Sequence, residues 1–291
     1  MATALHSLAD RAVYPLVVGG GVALVVGSVA EGVSYWAVAP PVVLLCAAIV
    51  VVLERCRPYA AAWLEPHGDV AADRMHLTAN LAVSQLAILT YGAALRARDS
   101  TMQVWPHEWP FPAQFLLGLG IIDLGLYWVH RLSHSVPWLW RLHAIHHGPR
   151  RVYWMNGQRR HVLHEAIEGA PGLVVLWLIG APVDVVACGF ATITIHLMLQ
   201  HANIAYRAGI LRRVFSVAEL HRWHHQRLYA DVQGNYGALL SVWDALFGTT
   251  LHKLGDAPPD VGMDDEPDLP LDWLGQHLWP FRRPAAREGD R

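Results

Sequence analysis

Charge is scarce in this sequence. Only 16% of its 291 residues are Asp, Glu, Lys or Arg, against about 25% in an ordinary soluble domain. Mean hydropathy is positive, at +0.26, and the deficit points to lipid as the surrounding solvent. There is no basic excess. A formal net charge of -2 argues against a nucleic-acid binder, which presents a positive surface. Cysteine is scarce as well. Cys46, Cys56 and Cys188 are scattered, without a CxxC, so no disulfide framework, iron–sulfur centre or Cys-rich zinc site is expected. The haem-attachment pattern CxxCH is absent, and no dinucleotide fingerprint follows a strand. Gly19-Gly20-Gly21 lies inside an apolar run, where close helix packing is its expected role.

Histidine is the exception, with 18 residues, most of them between 130 and 225. Three stretches carry a spacing: His130-Arg-Leu-Ser-His134, His143-Ala-Ile-His146-His147 and His221-Arg-Trp-His224-His225. Residues three and four apart share a helix face, so each stretch can aim its imidazoles at one region. Imidazole binds zinc, iron, copper or nickel, so residue type does not choose the metal. Number is more informative. The eight clustered histidines exceed the four ligands of a structural zinc and suit two ions. His196 and His201 are further candidates. On an ideal helix they diverge by about 140°, so both join the cluster only if the helix ends or distorts near Gln200. The alternative is one ligand and one packing residue. His161 is the last candidate ligand, while His164 reads as structural. A zinc-protease HExxH fails here, because Glu168 stands where the second histidine is needed. His6, His67, His76, His107, His252 and His277 carry no spacing signal.

Apolar runs cover residues 13–30, 35–53, 76–95, 111–129 and 170–199. A membrane span needs roughly 20 apolar residues. The first run lacks a cleavage pattern and reads as an anchor. The second is interrupted by Pro40-Pro41, where a kink is expected. The third carries Thr78, Asn80, Ser84 and Gln85, and reads as a span packed on protein rather than an interfacial helix. The last is broken at Gly180-Ala181-Pro182 and is predicted to form a hairpin of two short spans. Counted from a cytoplasmic N-terminus, Arg55, Arg57, Arg74 and the basic regions 130–165 and 201–252 fall inside. Only Arg96 and Arg98 fall outside. The positive-inside rule therefore places every histidine stretch on the cytoplasmic face. The predicted fold is all-α: an integral membrane helical bundle with a cytoplasmic His-rich di-metal cap. Residues 1–75 form N-terminal spans and a loop, and 76–252 the part that carries the histidine stretches. Residues 253–291 form a Pro/Asp-rich tail whose Leu271, Trp273, Leu274, Leu278 and Trp279 look interfacial. Asp123, Tyr127, His130 and His134 recur at helical spacing on one stripe. An Asp in an apolar run is expensive unless it faces a site, so Asp123 is expected to orient an imidazole; the alternative is a buried Asp satisfied by a neighbouring Tyr or the backbone.

Over residues 75–252 the chain resembles the membrane fatty acid hydroxylase/sterol desaturase superfamily. The resemblance rests on the ordered set HxxxH, HxxHH and HxxHH, on Gln200-His201-Ala202-Asn203, and on Gly234-Asn-Tyr-Gly237 with Trp243-Asp-Ala-Leu-Phe-Gly-Thr249. One departure is His161-Val162, where the family commonly has His-Pro. The resemblance implies a membrane di-iron oxygenase that uses O2 and two electrons on an unactivated C–H bond of a lipid. It implies two iron ions held by the histidines at 130, 134, 143, 146, 147, 221, 224 and 225, joined by those at 196 and 201. Asn235 and Asp244 become candidates to orient ligands. Arg150, Arg151, Arg159 and Arg160 become candidates to hold an anionic headgroup.

Hydroxylation and desaturation would use the same ligands, so a lipid desaturase is the near alternative. A His-rich metal-handling protein would want polar residues along a mid-membrane path, whereas these histidines gather at one face. A b-type cytochrome would show a Soret band. Without a nicotinamide or flavin fingerprint, electrons are expected from a separate partner such as a ferredoxin or a cytochrome b5-like protein.

Overall fold

The structure is a computed structural model describing residues 2–98, 104–251, 260–263, 266 and 268–282, with side chains from residue 8 onward. His252, and with it the boundary expected at 252, lies outside the described residues, as do the side chain of His6 and the tail segments 253–259 and 283–291. Among the described residues there are helices and no strands. Helix α1 (Ala2–Tyr14) runs through a π turn at Pro15–Gly19 into α2 (Gly20–Ala30). Then come α3 (Tyr35–Cys56), α4 (Val70–Arg96), α5 (Phe111–Ser133), α6 (Pro137–His147), α7 (Val162–Ile179) and α8 (Val183–Gln200). The short helices α9 (Ala218–His224), α10 (Val242–Phe247) and α11 (Trp273–Leu278) complete the cap.

Among the described residues, six helices are long and apolar enough to cross a membrane: Leu8–Ala30, Tyr35–Cys56, Val70–Arg96, Phe111–Ser133, Val162–Ile179 and Val183–Gln200. This matches four spans followed by a hairpin. The second span is a single helix, and α3 runs on through both Pro40 and Pro41. Helix α4 starts earlier than its apolar run. Its Asp73, His76, Asn80 and Ser84 recur every three or four residues and are all buried. They bond to Tyr153 and Arg159, to the Arg160 carbonyl, to the Gln158 carbonyl and to Glu165. The low hydropathy of α4 thus comes from a polar stripe that faces protein. Outward residues such as Leu44, Leu86, Leu89, Leu116 and Leu178 remain exposed, as a lipid solvent requires.

Because the spans alternate in direction, residues 57–69, 134–161 and 201–251 share one end of the bundle. Helix α8 is the central pillar, with 78% of its span buried. It brings His201 up into the cap. Helices α5 and α7 meet closely. A Cβ on Gly172 would lie 2.7 Å from Ile122 Cα, and one on Gly125 2.9 Å from the Gly172 nitrogen. Small residues at such a crossing let two backbones approach in lipid.

Candidate metal centre

Helix arithmetic decides where each imidazole goes. At 100° per residue, the first and last histidines of an HxxHH lie about 40° apart, and the middle one lies about 60° to the other side of the first. Each HxxHH is accordingly split. On α6, His143 and His147 turn toward one point and His146 toward another. On α9 and its C-cap, His221 and His225 pair, and His224 crosses over. Two groups result: His130, His134, His143, His147 and His224, and His146, His201, His221 and His225. Within each group, ligand atoms lie within 4.8 Å of one another, and all nine residues are buried. The groups touch, since the rings of His147 and His225 stack at 4.7 Å.

Spacing within the groups fits metal ions. At a metal–nitrogen length of about 2.1 Å, neighbouring ligand atoms sit about 3.0 Å apart at right angles and about 3.4 Å apart in a tetrahedron. The Nε2 atoms of His130 and His224 are 2.9 Å apart, and those of His143 and His147 3.2 Å. In the second group the separations are 2.9 Å for His201–His221, 3.1 Å for His221–His225 and 3.3 Å for His146–His201.

Proton placement gives a sharper test. His130 Nδ1 donates to the Tyr236 carbonyl at 2.8 Å, and His224 Nδ1 to the Gly234 carbonyl at 2.7 Å. His201 Nδ1 donates to the Leu197 carbonyl at 2.9 Å and His146 Nδ1 to that of Arg159 at 3.3 Å. A carbonyl only accepts, so each Nδ1 carries the proton and each neutral ring presents a bare Nε2. Burial pushes His224 down to about 4 and His201 down to about 3. Burial first, and then the neighbouring imidazoles, hold His134, His143, His146, His147, His221 and His225 well below the usual histidine range. Two lone pairs therefore face each other across 2.9 Å at His130 and His224. That contact is repulsive until a cation lies between them. Both ring nitrogens of His134, and Nδ1 of His143, His147 and His221, find no partner among the described residues. The residues present fit two metal ions bound by neutral imidazoles.

Two expected ligands stand elsewhere. His196 Nε2 donates to the Ser216 carbonyl at 3.0 Å, and its Nδ1 accepts from the Tyr14 hydroxyl at 2.8 Å. Helix α8 stays regular to Gln200, so the 140° divergence holds and only His201 reaches a group. His161 caps α7: its Nδ1 accepts from Leu163 N at 3.0 Å and its Nε2 donates to the His277 carbonyl at 3.1 Å.

Among the described residues, Asp123, Asn235 and Asp244 form no hydrogen bond to an imidazole. Asp123 accepts from Leu239 N, Leu240 N and the Trp243 indole. Asp244 accepts from Tyr236 N and Gly237 N, and Asn235 accepts from Leu251 N and donates to the Leu220 carbonyl. They fix the 234–240 loop, and that loop's carbonyls hold His130 and His224. Three of the four expected headgroup arginines are also committed inward: Arg151 to Asp69, Arg159 to Asp73, and Arg160 to Glu165 and Glu168.

His164 and Glu168 are the residues missed. With His143 they form a third group of ligand atoms within 4.8 Å, although Glu168 is already paired to Arg160 at 3.0 Å. Their i,i+4 spacing was the available signal. Trp140, Tyr229 and Tyr236 cover His134, with ring centroids 5.1, 6.5 and 5.2 Å away. The Tyr229 hydroxyl donates to the His134 carbonyl. No spacing marks these aromatics.

The fatty acid hydroxylase family matches residues 115–249, which contain all nine grouped histidines. Ornithine lipid hydroxylase OlsE of Rhizobium tropici is 33% identical over 255 residues, 85% of this chain and 76% of that protein. Alkylglycerol monooxygenase of Caenorhabditis elegans is 27% identical over 155 residues, 53% of this chain and 30% of that protein. Methylsterol monooxygenase 2-2 of Arabidopsis thaliana is 28% identical over 153 residues, 47% of this chain and 52% of that protein. No solved structure matches the chain.

Proposed function

The chain belongs to the fatty acid hydroxylase family, and from that premise we propose a membrane oxygenase that hydroxylates an unactivated C–H bond of a lipid with O2 and two electrons. One observation carries the reading: nine buried histidines fall into two touching groups, with bare nitrogens at coordination distance. Two iron ions bound there would supply, with O2, the oxidation that side chains cannot perform unaided.

The chain's own work is positional. Neutral imidazoles hold the ions, with His130, His134, His143, His147 and His224 on one and His146, His201, His221 and His225 on the other. The carbonyls of Leu197, Arg159, Gly234 and Tyr236 fix four of those rings. Trp140, Tyr229 and Tyr236 shield His134 from water. The names of the relatives, hydroxylase and monooxygenase, favour oxygen insertion over desaturation. The relative matched over most of this chain is named for an ornithine lipid, so a polar aminolipid is the substrate class we favour. The cap faces the cytoplasm, where a ferredoxin or cytochrome b5-like donor delivers electrons.

Lipid mass spectrometry of cells with and without the gene tests this. A lipid heavier by one oxygen, present only with the gene, is expected. A loss of two hydrogens would mean desaturation, and no change in any lipid would refute the assignment.

A further inference from the structure

We propose that the lipid substrate enters at the seam between α5 and α10, with its acyl chain against Trp128, Leu246 and Phe247 and an anionic headgroup on Arg131. The role in substrate entry rests on the lipid-oxygenase reading; the geometry of the seam does not.

Helix α10 lies at membrane depth. The Trp243 indole donates to Asp123 at 2.8 Å. The Phe247 ring stacks on Tyr127 at 5.3 Å and leans on Trp128 at 5.0 Å. Asp123, Tyr127 and Trp128 all belong to the candidate span Phe111–Ser133, so α10 runs along the last turns of that span rather than beyond it. Its outer face carries Leu246, 68% exposed, near Trp128, 40% exposed. Apolar side chains bared at that depth meet acyl chains. The seam also leads inward. Beyond Phe247 comes Tyr127, then Tyr236 at 6.4 Å, and Tyr236 lies 5.6 Å from His130 and 5.2 Å from His134. Tyr127 and Tyr236 are thus the rings between the lipid-facing seam and the group of five histidines.

Arg131 closes the seam at its cap end. It stands two residues before α5 ends at Ser133, the level at which a span meets headgroups. Its guanidinium lies 5.3 Å from the Trp128 ring and donates to the Tyr127 hydroxyl at 3.4 Å, and it pairs with no carboxylate among the described residues. Asp244, the acid on α10, already accepts from Tyr236 N, Gly237 N and Thr249 Oγ1. Arg151, Arg159 and Arg160, by contrast, are buried against carboxylates. A guanidinium carries five donors in a fork that matches a carboxylate or a phosphate. Arg131 therefore has donors to spare one turn above the apolar seam and next to the ligand His130. A lipid whose chain lies on the seam brings its polar end to that fork.

The test uses purified full-length protein in a non-ionic detergent, without reductant. Three probes carry a photoreactive diazirine on the acyl chain: N-lauroylglycine, its uncharged methyl ester, and lauryl phosphate. The wild type should bind at least one anionic probe about tenfold or more tightly than the ester, as a charge-assisted contact requires. After illumination, peptide mass spectrometry should find the label concentrated on residues 128–132 and 242–247. Arg131→Gln should abolish the preference for the anionic probes, and Arg131→Lys should keep it within about threefold. Leu246→Asn should weaken all three probes by a common factor. Metal content measured beside each binding curve identifies variants that keep the centre, and the wild-type labelling map needs no variant. Equal affinity for anionic and uncharged probes in the wild type, or a preference that survives Arg131→Gln, overturns the proposal. So does label spread evenly over other outward residues such as Leu44 and Leu116, or a seam that takes no label because a second copy of the chain covers it. Binding needs no turnover, so its failure leaves the oxygenase reading standing. Absence of any hydroxylated lipid would leave the binding site standing and remove only its role in substrate entry.

Discussion

At the scale of single residues, the centre is defined by which nitrogen carries the proton. Backbone carbonyls at Tyr236, Gly234, Leu197 and Arg159 hold Nδ1–H and so expose Nε2. On the proposed reading, removing one ring takes a ligand from one ion and leaves its neighbours buried and unpaired. His224→Ala and His146→Ala should each lower metal content and abolish product, while His107→Ala, exposed and outside both groups, should do neither. His196→Asn should keep its metal but unfold earlier, because two buried hydrogen bonds worth about 1 kcal/mol each are disturbed; metal analysis beside thermal unfolding checks all four. Acid has a defined direction. His201 and His224 sit at about 3 and about 4 when folded, below about 6.5 when unfolded. Their neutrality therefore stabilises the metal-free fold fully above about pH 6.5 and less as pH falls toward those values. Thermal unfolding of the metal-free protein should drop steadily from pH 7 to pH 4, and a flat profile would contradict it. The eight motif histidines were legible from spacing alone. For Asp123 the sequence shows an acid on the stripe but not the loop amides that claim it.

At the scale of elements, the two HxxHH units exchange their middle histidines, so α6 and α9 each serve both sites. That division is helix arithmetic and is present in the sequence. The carbonyls that set the tautomers are not, because a carbonyl has no residue identity. Likewise, the apolar runs revealed the spans, but the α4 stripe of Asp73, His76, Asn80 and Ser84 looked only like weak hydropathy. Its meaning depends on the 153–165 segment packed against it. The centre also depends on the α5–α7 crossing. Gly172→Leu must push those helices apart, because its Cβ falls on Ile122. It should cost metal content without touching a ligand. Gly120→Leu on the same α5, with open space around it, should leave metal content near wild type. Equal loss in both variants would sever the crossing from the centre.

At the scale of the whole molecule, the six candidate spans among the described residues bring both histidine groups to one end. Both histidine groups and the aromatics over His134 share that cap, and the sequence carries no nicotinamide or flavin fingerprint. Purified protein given NAD(P)H alone should stay inactive until a ferredoxin or cytochrome b5-like donor is added. Turnover without a donor would contradict a separate electron source. The most direct measurement is elemental analysis of the purified full-length protein. On the proposed reading the two touching groups of five and four imidazoles hold two iron ions per chain, and a chain that binds one ion or none at saturating iron would contradict the paired centre.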